Sequence, residues 1–395
     1  MNILFIGFWG LSDPLTLATT FPNLQLLSDL PHVKLIRLAT VERDEVPSAT
    51  YSLPFTTDKI THQSLVSRQR GSLIGTKIEE FLRFPRELSN TVRELGIDII
   101  IGRGAMAGAL AYLTSKRTGK PFYVESFEPH AEYMLNSGVW GRYDPRYIFQ
   151  HFWEKKEKEY ANGLMPVAEN YRRQLIAEGI PGERIVTVPC AVNLTAFGFD
   201  ASARSQIRHV LAWPDEAIVG VYVGKFGGIY YDEEAFTIFQ QAADCFGTNF
   251  RLLLLTPQRV ADVQSKLRAV GFSLEHAVIK LVPFSEVPAY LSVADFAFGL
   301  HLPTPYVSPV KVGEYWATGL PVLMADGVGD DSAIIKAETG GSIFNLEHPE
   351  SVQIALADIK QQISRQDYRE AIRQLAVRHR SIDLSRQAYE HFFSI

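Results

Sequence analysis

Lys311 and Glu314 stand three residues apart just after Ser308-Pro309. The Ser308 hydroxyl suits a helix N-cap, and Pro309, with fixed φ and no N–H, suits the first helical position. A helix is therefore predicted over Val310–Thr318, stopped by Gly319 before the strand-like run Pro321-Val-Leu-Met, with Lys311 and Glu314 in its first two turns. Such a helix start holds unpaired N–H groups and partial positive charge, which favour a phosphate. A carboxylate one turn deeper can accept hydrogen bonds from a pair of sugar hydroxyls. A nucleotide fits this pattern. So does a structural role in which Glu314 answers the helix dipole and Lys311 is solvated, and these residue types alone leave both readings open. A second cation, Lys225, is flanked by Gly224 and Gly227 at the end of the predicted strand Ala217–Gly224. Glycines there let the backbone approach a diphosphate and the ammonium supplies charge.

Alternating strand and helix signals surround these residues. Ile3–Ile6 reads as a buried strand whose carboxyl end opens into Gly7-Phe-Trp-Gly10, the place where open α/β sheets bind ligands. The loop is not a G-x-G-x-x-G fingerprint and predicts no dinucleotide. Val33–Leu38, Asp98–Gly102, Gly119–Glu125 and Gly163–Ala168 continue the first half. Ala217–Gly224, Phe250–Thr256, Val278–Pro283 and Ala294–Leu300 build the second. Strands alternating with helices predict two parallel, doubly wound, Rossmann-like sheets. Residues 42–64 lose periodicity and read as an irregular acceptor-side segment, and residues 197–214 as a linker. The stretch 69–95 reads as an amphipathic helix in which Arg68, Arg70, Lys77, Arg83 and Arg86 intersperse Leu73, Ile74, Ile78, Phe81 and Leu82. Such a face can contact an anionic membrane, although Glu79, Glu80 and Glu87 dilute its charge and fit an ordinary solvated helix.

The 395 residues suit two domains, and 46% hydrophobic with 21% charged residues is a soluble globular balance. A net charge of -5 argues against bulk attraction to nucleic acid. Cys190 and Cys245 form neither a metal-ligand pattern nor a disulfide framework, which fits a reducing compartment. No signal-peptide pattern and no membrane-length apolar run is present, so a cytoplasmic location is expected.

The segment Glu314-Tyr-Trp-Ala-Thr-Gly-Leu-Pro-Val322 resembles the signature of the retaining GT-B glycosyltransferases called group 1, or family four. Val188-Pro-Cys-Ala-Val-Asn193 is similar to the family's segment closing the first domain. The resemblance implies a GT-B fold: an acceptor domain over 1–197, a nucleotide-sugar donor domain over 198–380 and a terminal helix, 381–395, returning to the first domain. It implies that Glu314 binds the donor ribose, that His130 on the loop Glu125-Ser-Phe-Glu-Pro-His130 faces the donor sugar, and that Val282, Pro283 and Phe284 read the base. Gly10, Gly224 and Gly227 then lie beside the donor, and Ser308, Lys311 and Lys225 hold its phosphates. The family's usual pair of cations after the first strand of the second domain is reduced here to Lys225, and Lys311 is available to supply the missing charge. A further family Glu, eight residues before Glu314, is replaced by Tyr306. The implied reaction is a retaining transfer of a hexose-like sugar from a nucleotide diphosphate sugar to a hydroxyl acceptor, as in polysaccharide or glycoconjugate synthesis. No cofactor is expected. The chain contains no D-x-D pair, so a metal-independent enzyme is expected. Two alternatives share the architecture: a catalytically inactive nucleotide-sugar-binding subunit, and a nucleotide-sugar epimerase using Glu125 or Glu128.

Overall fold

The computed structural model describes residues 1–13, 16–43, 57–68 and 73–393. Its contacts divide the chain into two compact units, Met1–Ala191 with Ile382–Ile395, and Val192–Ser381. Residues 192–197, expected in the first domain, belong to the second. The Val192 N–H donates to the Arg380 carbonyl, and Arg373 donates to the carbonyls of Leu194 and Phe197.

The first unit carries β1 (Asn2–Gly7), β2 (Leu35–Glu42), β3 (Ile60–Val66), β4 (Ile99–Arg103), β5 (Phe122–Phe127) and β6 (Gly163–Pro166). The second carries β7 (Ile218–Val223), β8 (Phe250–Leu255), β9 (Ala277–Lys280), β10 (Phe296–Gly299), β11 (Val322–Ala325) and β12 (Gly341–Phe344). Both sheets have six parallel strands, ordered β3-β2-β1-β4-β5-β6 and β12-β11-β10-β7-β8-β9. Counted within each unit, both orders are 3-2-1-4-5-6, the doubly wound Rossmann order, and the direction of winding reverses between β1 and β4 and between β7 and β10. Crevices at such reversals lie beyond the carboxyl ends of the strands and are where these sheets hold ligands.

β1 beyond Asn2, and β7, are apolar because helices cover both faces of a parallel sheet. The first core joins Ile3, Phe5, Leu24, Leu27, Ile36, Leu38 and Ile101 to Ala388 and Tyr389 of the terminal helix Asp383–Phe393. Tyr123 also packs against Phe392, with ring centroids 5.6 Å apart. In the second unit Phe236 and Phe239 meet edge to face, and Phe239 meets Phe298 at 4.9 Å.

Two expectations change, and a third is met over the described residues. The segment expected to be irregular over 42–64 contains β3, which pairs with β2 from Ile36↔Ile60 to Glu42↔Val66; residues 44–56 lie outside the described residues. The expected linker contains the helix Ala201–Val210, capped by Asp200. Its Arg204 and Arg208 donate to Asp295 at 2.6 and 2.9 Å, so a distant carboxylate fixes what local sequence leaves ambiguous. The amphipathic helix spans Leu73–Glu94, with Pro85 inside it. Residues 69–72 lie outside the described residues.

Candidate functional site

In the second unit the loops leaving β7 and β10 lie side by side. The chain after β7 runs through Gly224, Lys225 and Gly227 to Tyr230, which pairs antiparallel with His301 just beyond β10. The Ile229 carbonyl accepts from the Leu302 N–H at 3.0 Å, and the Leu300 carbonyl accepts from Tyr231 at 3.0 Å. Gly227 and Gly228 take φ of 82° and 70°, which a side chain disfavours, so this turn needs glycine. The Tyr222 phenol donates to the Lys225 carbonyl at 2.6 Å, while the Lys225 side chain is exposed.

The helix expected over Val310–Thr318 is observed over Val310–Ala317. Gly319 follows at φ 76°, and a Cβ there would strike the Arg369 backbone, so both conformation and space require glycine. The helix start differs from expectation. Pro309 occupies the N-cap position without a side-chain cap, and Ser308 lies one residue further back. The Ser308 hydroxyl accepts from Arg380, which also pairs with Asp331. A guanidinium 72 residues away therefore takes the oxygen that local chemistry offers to the helix.

Lys311 and Glu314 meet, the ammonium donating to the carboxylate at 2.6 Å. Glu314 is almost fully buried, and burial raises its pKa against the opposing pull of Lys311. The Lys311 ammonium also lies 5.6 Å from the Phe284 ring, next to Val282 and Pro283 on the connection after β9. Lys311 and Glu314 thus meet on one helix face, with Phe284 beside Lys311. The Tyr315 phenol accepts from the Val223 N–H at 3.0 Å, tying this helix to the end of β7 and so to the Lys225 turn.

Sequence reasoning missed Tyr315, Arg380 and His301. Arg380 and Asp331 are both buried; burial pushes the Asp331 pKa up to about 6 against the pull of Arg380. The His301 ring stacks obliquely on Tyr230 at 4.4 Å, and burial lowers its pKa to about 4. The antiparallel pairing of 230 with 301 has no local sequence signal.

In the first unit Gly10 lies against Glu42, whose carboxylate accepts from the Leu11 N–H at 3.1 Å; a Cβ at Gly10 would collide with it. His130 begins the helix His130–Asn136. Its Nδ1 lies 2.5 Å from the Tyr133 phenol, which donates to Glu128 at 2.9 Å. Burial lowers the His130 pKa to about 4 and raises that of Glu128 to about 7, the latter opposed by the Tyr133 hydrogen bond and Arg103. His130 is therefore a neutral imidazole at neutral pH. Glu125 is engaged differently: Arg103 donates at 2.8 Å, Asn23 at 3.4 Å, and the Tyr389 phenol also donates. Glu125, Arg103, Asn23 and Tyr389 line an open cleft with Ser126, Cys190 and Ser385. Among the described residues no group of three or more His, Cys, Asp or Glu is placed to hold a metal.

No family model and no curated protein matches the chain at the level of sequence. Solved structures match it along its whole length. HepE from Anabaena in complex with UDP superposes with a TM-score of 0.74 at 12% identity, covering 100% of both chains. Sucrose-phosphate synthase from Thermosynechococcus elongatus gives 0.73 at 16%, covering 100% of this chain and 99% of the other. A Listeria monocytogenes protein named as a UDP-N-acetylglucosamine 2-epimerase gives 0.67 at 14%, covering 100% and 97%. At these identities the likeness shows the fold: two Rossmann-like doubly wound units of the GT-B type.

Proposed function

We propose that the chain is a retaining glycosyltransferase that moves a sugar from a nucleotide diphosphate sugar to a hydroxyl acceptor without a metal. One observation carries this reading: Lys311 pairs with Glu314 and lies beside the Phe284 ring on the helix after β10, and Tyr315 of that helix holds the end of β7, from which the exposed Lys225 and its glycine turn leave. Three structurally similar crystals, all of HepE, contain UDP, UDP with glucose, or UDP-glucose, which supports a nucleotide-sugar ligand. In this reading the ribose hydroxyls take over the Glu314 carboxylate, and Lys311 turns from it to the diphosphate. Lys225 adds a second charge, and Val282, Pro283 and Phe284 contact the base. Gly224, Gly227 and Ser308 border the donor in the second unit, and Gly10 and the neutral His130 of the first unit are assigned to it on the resemblance alone. Charge develops on the departing diphosphate as its bond to the sugar C1 breaks, so preorganised cations and helix amides supply the main catalytic term. The acceptor hydroxyl adds to C1 from the same face and passes its proton to the leaving phosphate, which requires no protein base.

Melting-temperature measurements against a panel of nucleoside diphosphates and their sugars test the reading. One base is expected to add about 2.7 kcal/mol at roughly 100 times its dissociation constant. Stabilisation by no member of the panel at millimolar concentration would refute it.

An epimerase is the second reading. It is favoured by the Listeria likeness and by the Glu128–Tyr133–His130 chain, whose carboxyl holds a proton near neutral pH. Isomerised donor after incubation without acceptor would select it, whereas transfer only in the presence of an acceptor selects the transferase.

A further inference from the structure

His301 holds polar atoms that the chain itself leaves unused. Its Nδ1 is closed to water and unpartnered, and among the described residues Nε2 makes no hydrogen bond either. Buried polar atoms in native folds are nearly always paired, so the exception needs a reason. The ring is not a core filler. It keeps partial exposure just beyond β10, whose own residues are all buried.

The backbone decides where the ring faces. Tyr230 and His301 oppose each other in an antiparallel bridge, and opposed residues of such a pair present their side chains to the same face. Their rings accordingly lie 4.4 Å apart. Tyr230 in turn belongs to a group of phenols next to the helix Val310–Ala317: burial raises the pKa of Tyr222, and the neighbouring phenols of Tyr315 and Tyr230 raise it further. Tyr315 is the residue of that helix that accepts from the Val223 N–H, and Tyr222 donates to the Lys225 carbonyl. His301 therefore stands on the side of the second sheet that the helix covers, bonded through its backbone neighbours to the turn that carries Lys225.

The two ring nitrogens are not equivalent. A neutral imidazole carries one proton, and on Nδ1 that proton would be a buried donor without an acceptor. It belongs on Nε2, the nitrogen still open to a partner. Burial, which lowers the ring's pKa to about 4, keeps it in this neutral form.

We infer that His301 recognises phosphate in the donor site, its Nε2–H donating to the outer phosphate of the nucleoside diphosphate, the one that carries the sugar. The inference rests on the donor reading above and adds to it a residue that neither the local sequence nor the resemblance selects. In that reading base and ribose lie against Phe284 and Glu314, which leaves the Lys225 turn, and the His301 ring beside it, for the phosphate furthest from the base.

The test is calorimetric titration of the full chain with UDP, GDP and ADP and with the matching monophosphates, near neutral pH and without acceptor. His301→Phe keeps a ring against Tyr230 and removes both nitrogens, His301→Ala adds no atoms should the larger ring not fit, and His301→Gln returns an N–H donor. The diphosphate that the parent binds should bind His301→Phe and His301→Ala at least about tenfold more weakly, and His301→Gln within about threefold of the parent. The matching monophosphate should bind all four chains alike, whereas a merely displaced turn would weaken both nucleotides together. Unchanged diphosphate affinity in His301→Phe and His301→Ala, an equal loss for the monophosphate, or no recovery in His301→Gln overturns the inference and leaves the donor reading standing. Binding of none of these nucleotides by the parent overturns both.

Discussion

Replacing Lys311 by Met removes the cation beside Glu314 and leaves a carboxylate in a site that is almost closed to water. Breaking a fully buried pair costs about 3–5 kcal/mol. Lys311 is itself about one-third exposed, so water screens part of the interaction and about 1–2 kcal/mol is expected near neutral pH. For a unit of this size that corresponds to a fall of roughly 2–8 °C in melting temperature. The sign of the pH dependence follows from burial. The folded-state pKa of Glu314 is already raised above its unfolded value of 4.5, and loss of Lys311 raises it further. The folded state then binds more protons than the unfolded state, so stability falls as pH rises from the unfolded pKa through the folded one. Urea midpoints of parent and Lys311→Met between about pH 5 and 8 should therefore converge at the acid end and diverge toward the alkaline end. Adding Glu314→Gln should restore most of the loss by removing the stranded charge. Parallel profiles, or no recovery in the double variant, would refute the coupling of these two residues and the site built on them.

Glu314→Gln alone should lower transfer at least tenfold and abolish the melting shift given by the best nucleoside diphosphate, read by initial rates and thermal scans. Glu157→Gln should stabilise the chain by about 1–3 kcal/mol at neutral pH, because it removes a buried carboxyl whose pKa lies well above 4.5 and whose oxygens have no partners. The gain should shrink as pH falls toward the unfolded carboxyl pKa, as denaturant melts across pH will show. Tyr389→Phe deletes one donor to the buried Glu125 and should cost about 1–3 kcal/mol, read by the urea midpoint. Because His130 is neutral above about pH 5, His130→Gln should reduce turnover without removing an acid limb near 6.5 from the rate profile; loss of such a limb would show a titrating imidazole.

The periodicities that separate strand from helix are local, so the two doubly wound sheets were legible from alternating apolar runs and helical stretches. The missed strands, β3 and β12, are both at sheet edges. Ile-Thr-His-Gln-Ser-Leu-Val and Gly-Ser-Ile-Phe carry little of the continuous apolar signal of a central strand. The short helix of the candidate site and its glycine stop were likewise written within ten residues, as were Lys311 and Glu314 at a spacing that lets them meet on one turn.

What surrounds that helix was decided elsewhere in the chain. Ser308 is taken by Arg380, Tyr315 reaches the Val223 amide 92 residues away, and Glu125 is held by Tyr389 across 264 residues. No local pattern announces such partners, because a side chain's preference for helix or strand says nothing about which distant donor will be brought to it. The orientation of Pro145–Tyr160 is the clearest case. Glu157 is buried against Gly108, and Phe149 and Trp153 pack on Phe81, while Ile148 and Phe152 stay half exposed, a division that only tertiary packing determined.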